Sequence, residues 1–239
     1  MNKLTAVFAV ATIGSGLVFA QSSGNFSYST NANSVTACTL NSNGSISGGQ
    51  QCEMSCNIDD SGNSTCTPTS GICVGNAVAG IKTSNGNGNV FVVRPSAVIG
   101  LLTDVTVSSK QLDATSSALA GVDFQVSISG PGSPKVIPSY PITYASRYIQ
   151  LSTNLFQALA TQCLAITGGC FISFNESTVS AHSFDWLVTN LSAGQYTVTT
   201  SWKDSLGGSG ISRSLACVGP VNMTVQQNKV FSFNTVNTL

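Results

Sequence analysis

Val122, Phe124, Val126 and Ile128 alternate along the chain with Asp123, Gln125, Ser127 and Ser129. Successive side chains of an extended strand point to opposite faces, so this stretch carries one apolar row and one polar row. The same alternation sets Tyr196, Val198, Thr200 and Trp202 against Thr197, Thr199, Ser201 and Lys203, and Val221, Met223 and Val225 against Asn222, Thr224 and Gln226. Shorter candidates fall at 90–94, 104–108, 147–152, 171–174, 182–189, 212–218 and 230–233. About ten short strands between Gly, Pro, Asn and Ser turns predict an all-β fold, an antiparallel β-sandwich, because a parallel sheet needs helical crossovers. One short helix is expected where Leu155, Phe156 and Leu159 recur at helical spacing. Ser152, Thr153 or Asn154 can cap its start and Gly168-Gly169 can end it.

The stretch Leu191-Ser192-Ala193-Gly194-Gln195-Tyr196 leads into one of these strands. It resembles the tyrosine corner of Greek-key sandwiches such as fibronectin-like and immunoglobulin-like domains. The resemblance implies that the Tyr196 ring packs inward and its hydroxyl returns to backbone a few residues upstream. It implies a fold and no activity.

Composition changes near Asn89. Residues 21–89 are dominated by Ser, Asn, Gly and Thr and hold Cys38, Cys52, Cys56, Cys66 and Cys73; residues 90–239 carry the alternating strands with Cys163, Cys170 and Cys217. A segment this polar gains little from burial, so cross-links are expected to do much of its ordering. The reading is a disulfide-rich polar module, 21–89, followed by a sandwich domain, 90–239. Its odd number of cysteines means that full pairing must join the module to the later segment. Cys163 and Cys170 flank a short loop ending in Gly168-Gly169; if they pair, Cys217 ties the two segments together.

Residues 1–20 have one cation, Lys3, then an apolar stretch ending Val18-Phe19-Ala20. That is the pattern of a secretory signal peptide, with cleavage expected after Ala20 and the protein expected outside the cell. Without Lys3 the chain has eight basic and nine acidic residues. Only 8% of the chain is charged, and no cluster of Lys or Arg exists to gather phosphates or anionic lipid heads. Nucleic acid and, after leader cleavage, membrane are therefore not expected partners.

Little of the chain reads as catalytic machinery. His182 is the sole imidazole, so any histidine-dependent hydrolysis must use it with Asp104, Asp113 or Asp123, and no Gly-x-Ser-x-Gly elbow is present. A glycosidase needs two facing carboxylates; Glu176 and Asp185 qualify only if they meet across neighbouring strands, and Asp59 and Asp60 sit in a polar loop. Asn57, Asp59, Ser61, Gly62 and Asn63 resemble the first half of a calcium loop, but Pro68 stands where the closing Glu belongs. Cys52 and Cys56 lie at a spacing that zinc tolerates, yet exported thiols oxidise. No cofactor or metal is expected.

Six Asn-x-Ser/Thr sequons, at Asn25, Asn43, Asn63, Asn175, Asn190 and Asn222, are candidate glycan acceptors in a chain so rich in Ser and Thr that several arise by chance. Tyr140, Tyr144 and Tyr148 are the candidate ligand surface, since aromatic rings beside amides and hydroxyls suit sugar rings. Trp202 falls on an inward row. The expectation is a secreted, non-catalytic structural or binding protein of the cell surface, wall or extracellular matrix. Its expected partners are glycans or wall and matrix components. A lectin-like carbohydrate-binding module is the first alternative and a small secreted hydrolase the second.

Overall fold

Two long antiparallel strands, β7 (Asn89–Ser108) and β15 (Ile211–Lys229), form the spine of the fold. Their register runs from Ile211 opposite Thr106 to Lys229 opposite Asn89. The computed structural model describes residues 25–31, 36–59, 61–83, 88–109, 115–154, 163, 167 and 169–229. Around the spine lie β1 (Phe26–Thr30), β4 (Gln50–Ile58), β5 (Ser64–Ser70), β9 (Gly132–Ile137), β11 (Phe171–Ser183) and β12 (Trp186–Leu191), completing an eight-stranded sheet. A five-stranded sheet is built from β6 (Val74–Thr83), β8 (Thr115–Ser129), β10 (Ile142–Ser152), β13 (Gly194–Asp204) and β14 (Gly207–Ser209). The hairpin β2 (Thr39–Leu40) and β3 (Ile46–Ser47) stands alone.

Length gives each spine strand two partners on its outer flank. β15 pairs with β4 over its first half and with β1 over its second, and β7 pairs with β12 and then β11. The fold is all-β and antiparallel, as expected, with fifteen strands among the described residues in place of about ten. Segments 90–94 and 104–108 belong to one strand, β7, and segments 212–218 and 221–226 to one strand, β15, interrupted only where the register shifts between Val218 and Val221. Pro220 lies in that interruption and has no N–H for the ladder. Segment 182–189 is divided at Phe184 and Asp185 between β11 and β12. The candidate helix, segment 230–233 and the leader at 1–20 lie outside the described residues.

The inner faces of the two sheets make one core. Phe91, Val93, Ile99 and Leu101 of β7 meet Val122, Phe124 and Val126 of β8 and Tyr196, Val198 and Trp202 of β13. Phe124 stacks on Trp202 with ring centres 5.7 Å apart, and Phe91 meets Tyr196 edge to face at 5.4 Å. Burial of such rings is the main driving force for closing two layers. Tyr196 forms the expected corner. Its hydroxyl accepts from the Ser192 N–H at 2.7 Å and stands 2.7 and 3.0 Å from the carbonyl oxygens of Ser192 and Pro131.

The boundary at residue 89 is a change of composition, not a break in the fold. β1 and β4 pair with β15, β6 pairs with β13, and Cys52, Cys73, Ala77, Ala79 and Ile81 lie in the main core. All eight cysteines are bonded: Cys38–Cys217, Cys52–Cys73, Cys56–Cys66 and Cys163–Cys170. Four such bonds form in an oxidising compartment.

Candidate functional site: an open sheet face

Seen from outside, the eight-stranded sheet has one covered half and one open half. Over the first, the β2–β3 hairpin is tied down by Cys38–Cys217, and Ile46 packs with Leu102, Leu215, Val98 and Val179. A depression of about 130 Å³ beside it is lined by Ser55, Asn57, Asp104, Thr106, Ile211 and Arg213. That is well below the roughly 300–1,000 Å³ of a small-molecule site. Arg213 is engaged with Glu53 at 2.6 and 3.2 Å, which holds its guanidinium firmly charged.

Among the described residues, nothing covers the other half. Registers place Phe26 opposite Gln226, Gln226 opposite Val92, Val92 opposite Leu187 and Leu187 opposite Ile137, so one row crosses five strands. The next row runs Tyr28, Thr224, Arg94, and a third runs Thr30, Asn222, Ser96. Five strands at a spacing of about 4.8 Å make a strip roughly 20 Å wide. Phe26 is 62% exposed and Tyr28 73%, both projecting from the same face of β1, while Ser27 and Ser29 lie opposite the buried Val225 and Met223. Arg94 closes on Asp185 through two contacts of 2.6 Å, and this partner holds the Asp185 carboxyl below the usual carboxylate range.

The three tyrosines singled out from sequence do not form one surface. Tyr140 is 63% exposed between β9 and β10, and Tyr148 is 59% exposed opposite Leu119 on the small sheet. Tyr144 is a correction: it is buried, stacked on Phe124 at 4.1 Å, and donates its hydroxyl to the Pro95 carbonyl at 2.8 Å. Burial pushes its phenol pKa up. The cause is a β-bulge between Thr143 and Ala145, in which Tyr144 is the extra residue. One added residue reverses the faces, so Tyr144 points in and Tyr148 out. Phe26 and Tyr28 were missed, although Phe-Ser-Tyr-Ser-Thr at 26–30 alternates in plain view.

The candidate catalytic groups are dispersed. His182 lies opposite Ala97 on β11 with its Nε2 2.6 Å from the Ser180 hydroxyl, and its ring is 6.3 Å from that of Tyr144. Asp104 accepts from Ser173, and Asp123 accepts from Thr143 and Ser205; Asp113 lies outside the described residues. Glu176 and Asp185 do not meet. Glu176 sits opposite Thr103 beside Arg147, and Asp185 binds Arg94, about 30 Å further along β7. In the calcium-like loop the Asp59 carboxylate accepts from the backbone N–H groups of Ser61 and Asn63, which lowers its pKa and leaves it serving as a turn cap. Asp60 lies outside the described residues.

All six sequon asparagines are exposed. Asn25 gives its amide to the Lys82 carbonyl and, at 3.1 Å, to Gln227; Asn190 gives its own to the Ser133 carbonyl at 2.7 Å. Asn43 heads the hairpin turn, where its carbonyl oxygen accepts from Ser45, and Asn63 bonds Asp59. Asn175 lies on β11, and Asn222 lies within the open face.

Fold and face together define an oxidised, two-layer antiparallel β protein with an exposed aromatic and amide surface. No protein-family model and no curated protein matches the chain.

Proposed function

We propose that this is a secreted, non-catalytic binding protein of the cell surface, wall or extracellular matrix, and that the open half of its large sheet is a platform for neutral carbohydrate. One observation carries the reading: two aromatic rings stand side by side on the outer face of β1, next to a row of Gln226, Thr224 and Asn222. A pyranose offers a flat C–H face to an aromatic ring and hydroxyls to neighbouring amides. The Arg94–Asp185 ion pair on this face is internally neutralised and Lys135 of β9 adds a single cation at its edge, so the face carries little net charge and suits an uncharged ligand. The four disulfides and the leader-like residues 1–20 support an extracellular setting.

The test is a panel of soluble and insoluble polysaccharides presented to the oxidised protein, with Phe26→Ala and Tyr28→Ala alongside. Each variant is expected to weaken binding by about tenfold or more while leaving the circular dichroism unchanged; base-stacking platforms lose a similar amount per ring. Binding that survives both substitutions, or none by the wild type, overturns the platform. Exported material is expected to begin at Gln21, read by N-terminal sequencing.

A further inference from the structure

The strand β11 leaves the large sheet with a long free flank. It pairs with β7 from Phe171 opposite Ser108 to Ser183 opposite Ser96, and among the described residues no other strand pairs with it. Phe171 is 75% exposed and Phe174 47%. The backbone N–H and C=O groups of that flank are a template for a further strand. Each of the comparable edges is blunted. β5 has seven residues, contains Pro68 and is cross-linked through Cys66. β9 has six residues and contains Pro134 and Lys135. β10 is bent by the bulge at Tyr144. On β6 the carbonyls of Asn76 and Lys82 already receive the side-chain amides of Asn31 and Asn25. β11 alone among these has thirteen residues, no proline, no register shift and a single charge, Glu176.

We propose that β11 is a self-association edge, where two copies of the chain pair β11 to β11 in antiparallel fashion and continue the large sheet through both. The occupant is a second copy because the strand is complementary to itself. With the twofold axis at Ser177, the midpoint of the strand, Glu176 faces Thr178 of the second copy, Phe174 faces Ser180, and Ile172 faces His182. No acid then stands directly opposite an acid, and Arg147, 3.4 Å from Glu176, balances the one charge present. A formal net charge of zero, or −1 once Lys3 is removed with the leader, leaves little long-range repulsion between copies. An isologous pair also closes on itself, using the edge once and ending growth.

Sedimentation equilibrium tests this on the full disulfide-bonded protein, exported to a bacterial periplasm so that Asn175 stays unmodified. The mass is expected to move from monomer to dimer by roughly 0.1 mM. The double variant Phe174→Lys with Ser180→Lys sets like charges opposite each other in the proposed register and is expected to weaken the dimer at least tenfold. Tyr28→Ala, on the other face, is expected to leave it unchanged. Hydrogen exchange on the wild type supplies a readout independent of any variant: amides of 171–183 are expected to slow as concentration rises. A monomer throughout the range, a dimer indifferent to the two lysines, or protection appearing elsewhere overturns the assignment. Glycan binding is read separately, so either proposal can fail alone.

Discussion

Cys38 is bonded to Cys217 across 179 residues of sequence, with their Cα atoms 6.0 Å apart, and the bond sits beneath the two-stranded hairpin that it anchors. Ile46, the apolar residue of that hairpin, covers Leu102 and Leu215 on the outside of the large sheet. Replacing both cysteines by serine is expected to cost roughly 2–4 kcal/mol in denaturant unfolding, since a long unfolded loop is released. The same variant is expected to bind a hydrophobic dye, because the patch under Ile46 opens, while far-ultraviolet circular dichroism keeps its strand signal. Full retention of stability would show that the hairpin docks without its staple.

Much of this architecture is legible in the residues. Tyr196, Val198 and Trp202 are inward in the sequence pattern and buried in the fold, and cysteine parity requires a bond between the polar segment and the later strands. Alternation says that a strand has two faces without saying which is covered. At β1 the rule of apolar inward is reversed, with Ser27 and Ser29 toward Val225 and Met223 and the rings toward solvent. The bulge at Tyr144 is likewise invisible, because an inserted residue shows only against a partner strand. Polar segments also gained strands that their composition concealed: β6 buries only Ala77, Ala79, Ile81 and Thr83, small or modest groups between exposed neighbours.

Gly75 is required by Trp202. A Cβ added at Gly75 would stand 2.2 Å from the Trp202 ring, whose side chain is buried between Phe124 and the β6 backbone. Gly75→Ala must therefore displace an indole from a filled core. Overpacking of this kind costs about 1–3 kcal/mol. The expected result is a lower midpoint in thermal unfolding together with an altered Trp fluorescence spectrum, since the ring moves. An unchanged midpoint would mean that β6 can shift outward at no cost.

Thr103 and Ser214 face each other across β7 and β15 on the inner side of the sheet, 0% and 1% exposed, and neither hydroxyl has a hydrogen-bond partner among the described residues. A buried hydroxyl without a partner carries its desolvation penalty with no return. Thr103→Val keeps the shape and removes the hydroxyl. It is expected to leave stability unchanged or raise it by up to about 1–2 kcal/mol, against the usual direction for core substitutions. A loss larger than about 1 kcal/mol would reveal that the hydroxyl is hydrogen-bonded in solution, through ordered water.

Arg94 and Asp185 tie β7 to the turn before β12, and the pair carries both an acid dependence and a ligand preference. Hydrogen bonds from Arg94 lower the Asp185 pKa from the ordinary 3.8, whereas in the unfolded chain the pair is absent and the ordinary value returns. The folded state thus binds fewer protons between those two values, so its advantage is complete above 3.8 and fades as pH falls through the lowered folded value. With 55% and 42% of the two side chains exposed, the effect is small and sensitive to salt. Asp185→Asn is expected to differ from the wild type by a constant, slight loss of thermal midpoint above about pH 5, narrowing toward pH 3 and reduced by salt. The same substitution leaves Arg94 uncompensated in the middle of the open face. Acidic polysaccharides should then gain affinity relative to neutral ones, measured on the same panel, and an unchanged ranking would place the contact surface elsewhere.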